Sequence, residues 1–290
     1  MNYLLYNELA DSGEGKRNAE VAIAHLKEHG YEIGEQISLI GLDLKAFFKG
    51  KKDGDEVVIF GGDGTLNHFI NDLGDLEPKC VLKLYPTGTG NDFQRDLPES
   101  DREEGTGLYP LNKYIAKLPI IECQGKTYRF LNGIGYGIDG ECCVKAEELK
   151  KEGKKDINYG SVTIGLLLKG TYVPPKATIK IDDNEPIVVE KAYLASAMNG
   201  RYYGGGMMIA PEQDRLSGTL TLACIHGRGR IGTFLMLPKL FKGTHVKDKK
   251  ACLICGGAKR IEVSFDRPTG LQIDGEVLTG VTSYVAYVKE

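Results

Sequence analysis

The chain has 290 residues, enough for one large domain or two ordinary ones, with 41% hydrophobic residues and a net charge of −3. That balance argues against a general nucleic-acid binder, which needs a basic footprint, and no uncharged apolar run reaches the roughly 18–20 residues that span a bilayer. Seven cysteines, an odd number, argue for free thiols in a cytoplasmic protein, and Cys252-Leu253-Ile254-Cys255 reads as an apolar strand without a second ligand pair for zinc.

The start of the chain lacks the basic flank and long apolar stretch of a signal peptide, and residues 3–6 predict a strand. Residues 14–29 predict a helix, with Ala19, Ala22, Ile23 and Leu26 at helical spacing and Gly30 as its stop. Residues 31–40 alternate as a strand and 42–48 predict a short helix. The apolar run 56–60 then enters Gly61-Gly62-Asp63-Gly64-Thr65-Leu66-Asn67. Glycines let a backbone take positive φ and bring amide N–H groups within reach of a bulky anion. An aspartate in such a loop repels phosphate unless a divalent cation lies between them or the carboxylate deprotonates an attacking hydroxyl. Phosphoryl transfer from a nucleoside triphosphate satisfies both conditions; a tight strand-to-helix turn capped by Thr65 or Asn67 is the plainer alternative.

A second strand at 81–85 runs into Pro86-Thr87-Gly88-Thr89-Gly90-Asn91-Asp92-Phe93. Two such loops at the carboxyl ends of neighbouring strands would share the crevice where open α/β sheets bind ligands. Beyond about residue 118 the strand–helix alternation gives way to short β-rich runs separated by Gly, Asp-Asn or Pro-Thr-Gly breaks, interrupted by two longer segments, 159–169 and 230–242, that predict helices. The expectation is a nucleotide-binding α/β domain over 1–118, mostly parallel, and a β-sandwich domain over 119–283. The lysine-rich stretches 150–155 and 247–250 read as solvated loops, or as weak contacts with an anionic membrane surface.

The pair Gly-Gly-Asp-Gly-Thr-Leu-Asn and Gly-Thr-Gly-Asn-Asp-Phe resembles the diacylglycerol-kinase catalytic domain in its soluble bacterial lipid-kinase form. That family is similar to sphingosine and ceramide kinases and more distantly to NAD kinases and phosphofructokinases. Asn199-Gly200 followed by Gly204-Gly205-Gly206, Ala210-Pro211, and Asp274-Gly275-Glu276 continue the resemblance in the same order. It implies an NAD-kinase/phosphofructokinase-like first domain, a final strand, 284–290, returning to that domain, and an active site in the cleft between domains. It implies ATP and Mg2+ as cofactors and a diacylglycerol-like lipid acceptor at a membrane surface, no nucleic acid, and a cytoplasmic location that extends to the periphery of the inner membrane; a homodimer is left open.

By the same resemblance, Gly61, Gly62, Asp63, Gly64, Thr65, Leu66, Asn67 and His68 contact ATP, with Gly88, Thr89 and Asn91 from the second loop. Ser38 aligns with a family threonine near the nucleotide because Asp43 keeps its offset, although a plain strand end accounts for it equally. Asp63 and Asp92, one per loop, would handle the cation. Glu276 would be the catalytic base, with Asp274 as the competing carboxylate and Asp63 as the base favoured in sphingosine-kinase relatives. Ser217 stands where the family usually carries a magnesium-binding aspartate, so Asp214 is the substitute ligand. The loop Asn7–Lys16 replaces the family's short Asn-Pro…Gly loop and crowds acidic residues near the phosphates. Residues 231–238 and 162–168 are the apolar candidates for the lipid wall, or else core helices. The rival acceptors are a sphingoid base, another lipid alcohol or NAD; a nucleotide- or lipid-binding protein with little catalysis is the rival of a different class.

Overall fold

Apolar runs between glycine-rich turns lay down the elements of the first unit. The computed structural model describes residues 1–88, 90–154 and 157–289, and the chain divides into two units, Met1–Leu118 and Pro119–Glu290. The first runs β1 (Asn2–Tyr6), α1 (Ala10–Gly13), α2 (Gly15–Glu28), β2 (Glu35–Ser38), α3 (Leu44–Lys49), β3 (Glu56–Gly61), α4 (Asp63–Leu73), β4 (Val81–Pro86), α5 (Asp92–Asp96), β5 (Tyr109–Pro110) and α6 (Asn112–Ile115).

The strand order is β2-β1-β3-β4-β5, the first four parallel and β5 antiparallel. Strand order reverses direction between β1 and β3, and such a switch point opens a crevice at the carboxyl ends of the strands. The central strands β1 and β3 are buried nearly throughout, as strands covered by helices on both faces require, whereas β2 and β4 are partly exposed. Ala19, Ala22 and Leu26 of α2 pack on Leu4, Tyr6, Val58 and Phe60. The strand expected over 31–40 contracts to Glu35–Ser38, because pairing with β1 begins only at Tyr3 opposite Glu35. Tyr31 instead donates its hydroxyl to Glu56 at 2.6 Å. Asp43 caps α3 by accepting the amide of Ala46 at 3.0 Å.

The second unit runs β6 (Ile120–Cys123), β7 (Lys126–Arg129), β8 (Gly133–Tyr136), α7 (Ile138–Lys151), α8 (Tyr159–Leu168), β9 (Ala177–Ile181), β10 (Ile187–Val189), β11 (Ala192–Met198), β12 (Tyr202–Tyr203), β13 (Met207–Met208), β14 (Leu220–His226), α9 (Gly229–Phe241), β15 (Cys252–Ala258), β16 (Arg260–Ile273) and β17 (Glu276–Tyr287). Its large sheet is antiparallel, ordered β15-β14-β11-β8-β16-β17-β6-β7, with β9 and β10 joined through β16. β16 organises the sandwich. Its first half pairs with β9 and its second with β8, and the register shifts between Ser264 and Thr269. The Pro-Thr-Gly stretch expected to end a strand is therefore an irregularity inside one. Tyr136 stacks on Phe265 at 3.9 Å in the core beside it.

Two expectations are corrected here. The final strand does not return to the first unit: β17 pairs with β16 and β6, its hydrogen bonds being satisfied within the second sheet. Helix α7 was absent from the expected elements because its apolar face is narrow, with Ile138, Cys142 and Ala146 carrying the buried side. It packs where Gly140 meets Gly270; a Cβ on Gly270 would stand 2.6 Å from the Gly140 backbone. All seven cysteines are free thiols, and Cys252 and Cys255 lie on β15 as an ordinary paired strand.

Candidate active site

The two glycine-rich loops of the first unit are tied together by one side chain. β3 and β4 are parallel neighbours ending at Gly61 and Pro86 in register, so their loops leave the same sheet edge side by side. Asp63 opens α4, and its carboxylate accepts the amide N–H of Asp92 at 2.8 Å and of Phe93 at 2.9 Å. These are first-turn donors of α5, which otherwise lack partners inside their helix. Asp63 thus caps the helix that follows the second loop. A carboxylate oxygen accepts more than one contact, so a capping carboxylate can also face a cation.

The glycines here are required by close approach rather than by positive φ. A Cβ on Gly61 would lie 2.5 Å from the Thr65 Cβ, and one on Gly62 would lie 2.6 Å from the Thr87 carbonyl. Gly64 differs: it is exposed, its φ is not positive, and nothing stands within 4 Å of where a Cβ would point. Nothing in the protein requires glycine there. Gly62 is the N-cap of α4 and supplies no side-chain cap, so the first-turn amides of this 11-residue helix face outward with the positive end of its dipole. Such a helix end can receive an anion.

Asn91 adopts the left-handed conformation at φ 46° and donates Nδ2–H to the Gly88 carbonyl at 3.0 Å. Its Oδ1 is buried beside Gly62 and has no hydrogen-bond partner among the described residues. A hydroxyl or a metal-bound water would satisfy it. Thr65 and Asn67 are buried on the inner side of α4, whereas His68 is exposed and Leu66 is core. Ser38 ends β2 at the same sheet edge and accepts the amide of Ile40 at 3.1 Å. Gly88 takes φ +99°. Thr89 lies outside the described residues.

In the second unit two distant motifs converge on one backbone segment. Asp274 accepts the amides of Leu131, Asn132 and Gly133 at 2.5, 2.8 and 3.0 Å. Asn199 donates Nδ2–H to the Leu131 carbonyl at 2.8 Å. Asp274 and Gly275 both have positive φ and join β16 to β17 as a two-residue turn, with Ile273 opposite Glu276. This geometry separates the two carboxylates: Asp274 is committed to three amides, and Glu276 is exposed at the start of β17.

Sequence reasoning missed the supports of this turn. Gln272 accepts the amide of Gly275 at 2.6 Å and donates to Asp139 at 3.0 Å. Burial raises the Asp139 carboxyl to about 6, against the lowering effect of the Gln272 hydrogen bond. The signal in the sequence was Gly135, where any Cβ would strike the Asp139 carboxylate.

Asp214 accepts the amide of Leu216 at 2.9 Å, and Ser217 accepts that of Thr219 at 3.2 Å, so both shape a turn. Among the described residues no group of three or more His, Cys, Asp or Glu side chains gathers as a preformed metal site. A hydrated magnesium ion does not need one, since it takes one or two carboxylates plus phosphate oxygens.

The chain thus combines a parallel α/β unit, with two glycine-rich loops at the carboxyl edge of its sheet, and an antiparallel sandwich unit. Residues 2–117 match the diacylglycerol kinase catalytic domain, and residues 132–288 match the YegS C-terminal NAD kinase beta sandwich-like domain. The chain belongs to the family built from these two modules, and it is an enzyme of the lipid-kinase class. It is 25% identical to a diacylglycerol kinase of Mycobacterium tuberculosis, covering 84% of this chain and 79% of that one. It is 22% identical to a diacylglycerol kinase of Bacillus subtilis, covering 94% and 88%. The fold matches the crystal structure of a diacylglycerol kinase from Bacillus anthracis with a TM-score of 0.64 at 19% identity, over 100% of this chain and 93% of that one.

Proposed function

We propose that the chain transfers the γ-phosphoryl group of ATP to a lipid hydroxyl, with diacylglycerol as acceptor and Mg2+ as the required cation. One observation carries the reading: Asp63 joins the glycine-rich loop to the Gly-Thr-Gly-Asn-Asp loop, so that an anion cradle and two carboxylates share one sheet edge. Phosphoryl transfer asks mainly for positioning and charge neutralisation, which such an edge offers.

The outward amides of α4 would hold phosphate oxygens, with Gly64 allowing the closest backbone approach. Asp63 and Asp92 would hold the cation, whose chemistry is to screen the negative charge of the phosphates. Glu276 would take the proton of the acceptor hydroxyl, because Asp274 is occupied by three amides and Glu276 is the neighbouring carboxylate at the exposed turn. Asp139 and Gln272 would position that turn without touching substrate.

The test is ATP consumption by the purified protein with Mg2+ in the presence of diacylglycerol micelles, sphingosine micelles, NAD or no acceptor. Turnover with diacylglycerol alone, with phosphatidic acid as product, is the expected result. Turnover with sphingosine or NAD alone would reassign the acceptor. Tight ATP binding without turnover on any of them would overturn the catalytic reading.

A further inference from the structure

Charge is distributed very unevenly along this acidic chain. Between Arg228 and Lys250 there are seven basic residues and one acidic residue, Asp248, a net of +6 in a protein of net charge −3, so the remainder carries −9. The single acid is already paired: Arg228 donates to Asp248 at 2.7 Å. The same segment carries α9, and α9 is unusually apolar on its outer side. Ile231 is 71% exposed and Leu235 63%, four residues apart and so on one face of the helix. The opposite face, with Met236 and Leu240, is buried in a core cluster that also holds Leu167 of α8. Both helices therefore have their packing satisfied and still present apolar side chains outward.

Helix α8 extends the same surface. The Arg230 guanidinium lies against Gly170, which takes φ +68° just past the end of α8. Leu168 and Val173, both exposed, flank that contact. Residues 159–173 contain one lysine and no acidic residue. Lys239 and Lys242 lie on α9 and at its C-cap, next to the apolar stripe.

We propose that the outer face of α8 and α9 docks on an anionic lipid bilayer, with Ile231 and Leu235 entering the headgroup region and the lysines around them facing anionic headgroups. An apolar stripe rimmed by Lys and Arg is the pattern of a helix lying in a membrane interface. The charge argues for a bilayer over a second copy of the chain: two +6 segments brought face to face repel, whereas an anionic leaflet attracts each of them. The proposal deepens the lipid-kinase reading by naming the surface that would bring the enzyme to its acceptor.

Its test is independent of catalysis, because it uses vesicles containing neither diacylglycerol nor ATP. The chain has no tryptophan, so Leu235→Trp introduces a single reporter on the docking face. With phosphatidylglycerol–phosphatidylcholine vesicles its emission should shift to the blue and be quenched by brominated acyl chains, with no change on phosphatidylcholine alone. The wild-type protein should co-sediment with the anionic vesicles and be released by high salt. The pair Lys239→Glu and Lys242→Glu should weaken that binding about tenfold or more at an unchanged melting temperature. Absence of any spectral shift, equal binding to neutral vesicles, or wild-type binding by the lysine variants would each overturn the proposal. So would a dimer that Ile231→Glu dissociates while leaving vesicle binding intact. A kinase that phosphorylates micellar diacylglycerol yet fails these tests would retain its proposed activity and lose only this surface.

Discussion

The carboxylate of Asp63 accepts the backbone amide of Asp92 at 2.8 Å, across 29 residues of sequence. One side chain thus fixes the separation of the two loops on which the first unit's candidate chemistry depends, and it does so from the first position of the helix proposed to receive the phosphates.

Asp63→Asn should therefore cost both structure and activity. The asparagine oxygen can replace one acceptor, while its NH2 opposes the second amide donor. A loss of about 1–2 kcal/mol in denaturant unfolding is expected, together with a fall in kcat of at least about a hundredfold. If turnover stayed near wild type, Asp63 would be a cap and nothing more.

Glu276→Gln should behave differently. The side chain is exposed at the start of β17, so the melting temperature should hold. Removal of a general base should lower kcat by about 10²–10⁴-fold, with ATP affinity unchanged by isothermal titration. A variant with near-normal kcat would remove Glu276 from the base role.

Asp274→Ala should leave the amides of Leu131, Asn132 and Gly133 without their acceptor. A loss of about 2–4 kcal/mol is expected from urea unfolding. Asp274→Asn, which tolerates the left-handed backbone and keeps one acceptor oxygen, should recover part of it. Equal stability of all three proteins would show that the turn forms without this carboxylate.

Gly61→Ala and Gly64→Ala separate folding from binding. The first forces a methyl group against Thr65 and should destabilise by about 1–3 kcal/mol. The second meets open space and should leave stability within about 0.5 kcal/mol, while weakening nucleotide binding in equilibrium dialysis. Unchanged nucleotide affinity in Gly64→Ala would move the phosphates away from α4.

Asp139 gives a pH signature. Burial lifts its carboxyl from 3.8 to about 6. The native state then binds more protons than the unfolded chain across that window, so this group's contribution to stability falls as pH rises from about 4 to about 6. A change of up to about 3 kcal/mol across this window is expected. Asp139→Asn should flatten this part of the stability–pH curve; an unchanged curve would place the titration elsewhere.

Much of the first unit was legible in the sequence because its signals are local. A buried strand reads as an apolar run, and the glycine loops follow their strands without a gap. The motif Asp274-Gly275-Glu276 was legible by resemblance, and its Asp-Gly pair suits a two-residue hairpin loop with positive φ at both positions. Helix α7 was not legible: its buried face consists of small side chains and cysteine, and it is stabilised by a glycine-to-glycine approach to β16 more than 100 residues away. The course of the last strand was equally hidden, because an alternating pattern specifies which side is buried and not which sheet supplies the partner.

By itself, then, the amino-acid sequence determined the kinds of elements, the two loop chemistries and the candidate carboxylates, all of which follow from side chains within a few residues of one another. Only the tertiary structure decided which of the carboxylates accept backbone amides. Whether Asp63, Asp274 or Glu276 is occupied by amides depends on which backbone donors arrive from elsewhere in the chain, and those arrive from 29 and about 140 residues away. The same reason hid the α8–α9 surface. A run such as Ile231–Pro238 is apolar in either role, and only the packing of Met236 and Leu240 leaves Ile231 and Leu235 on the outside.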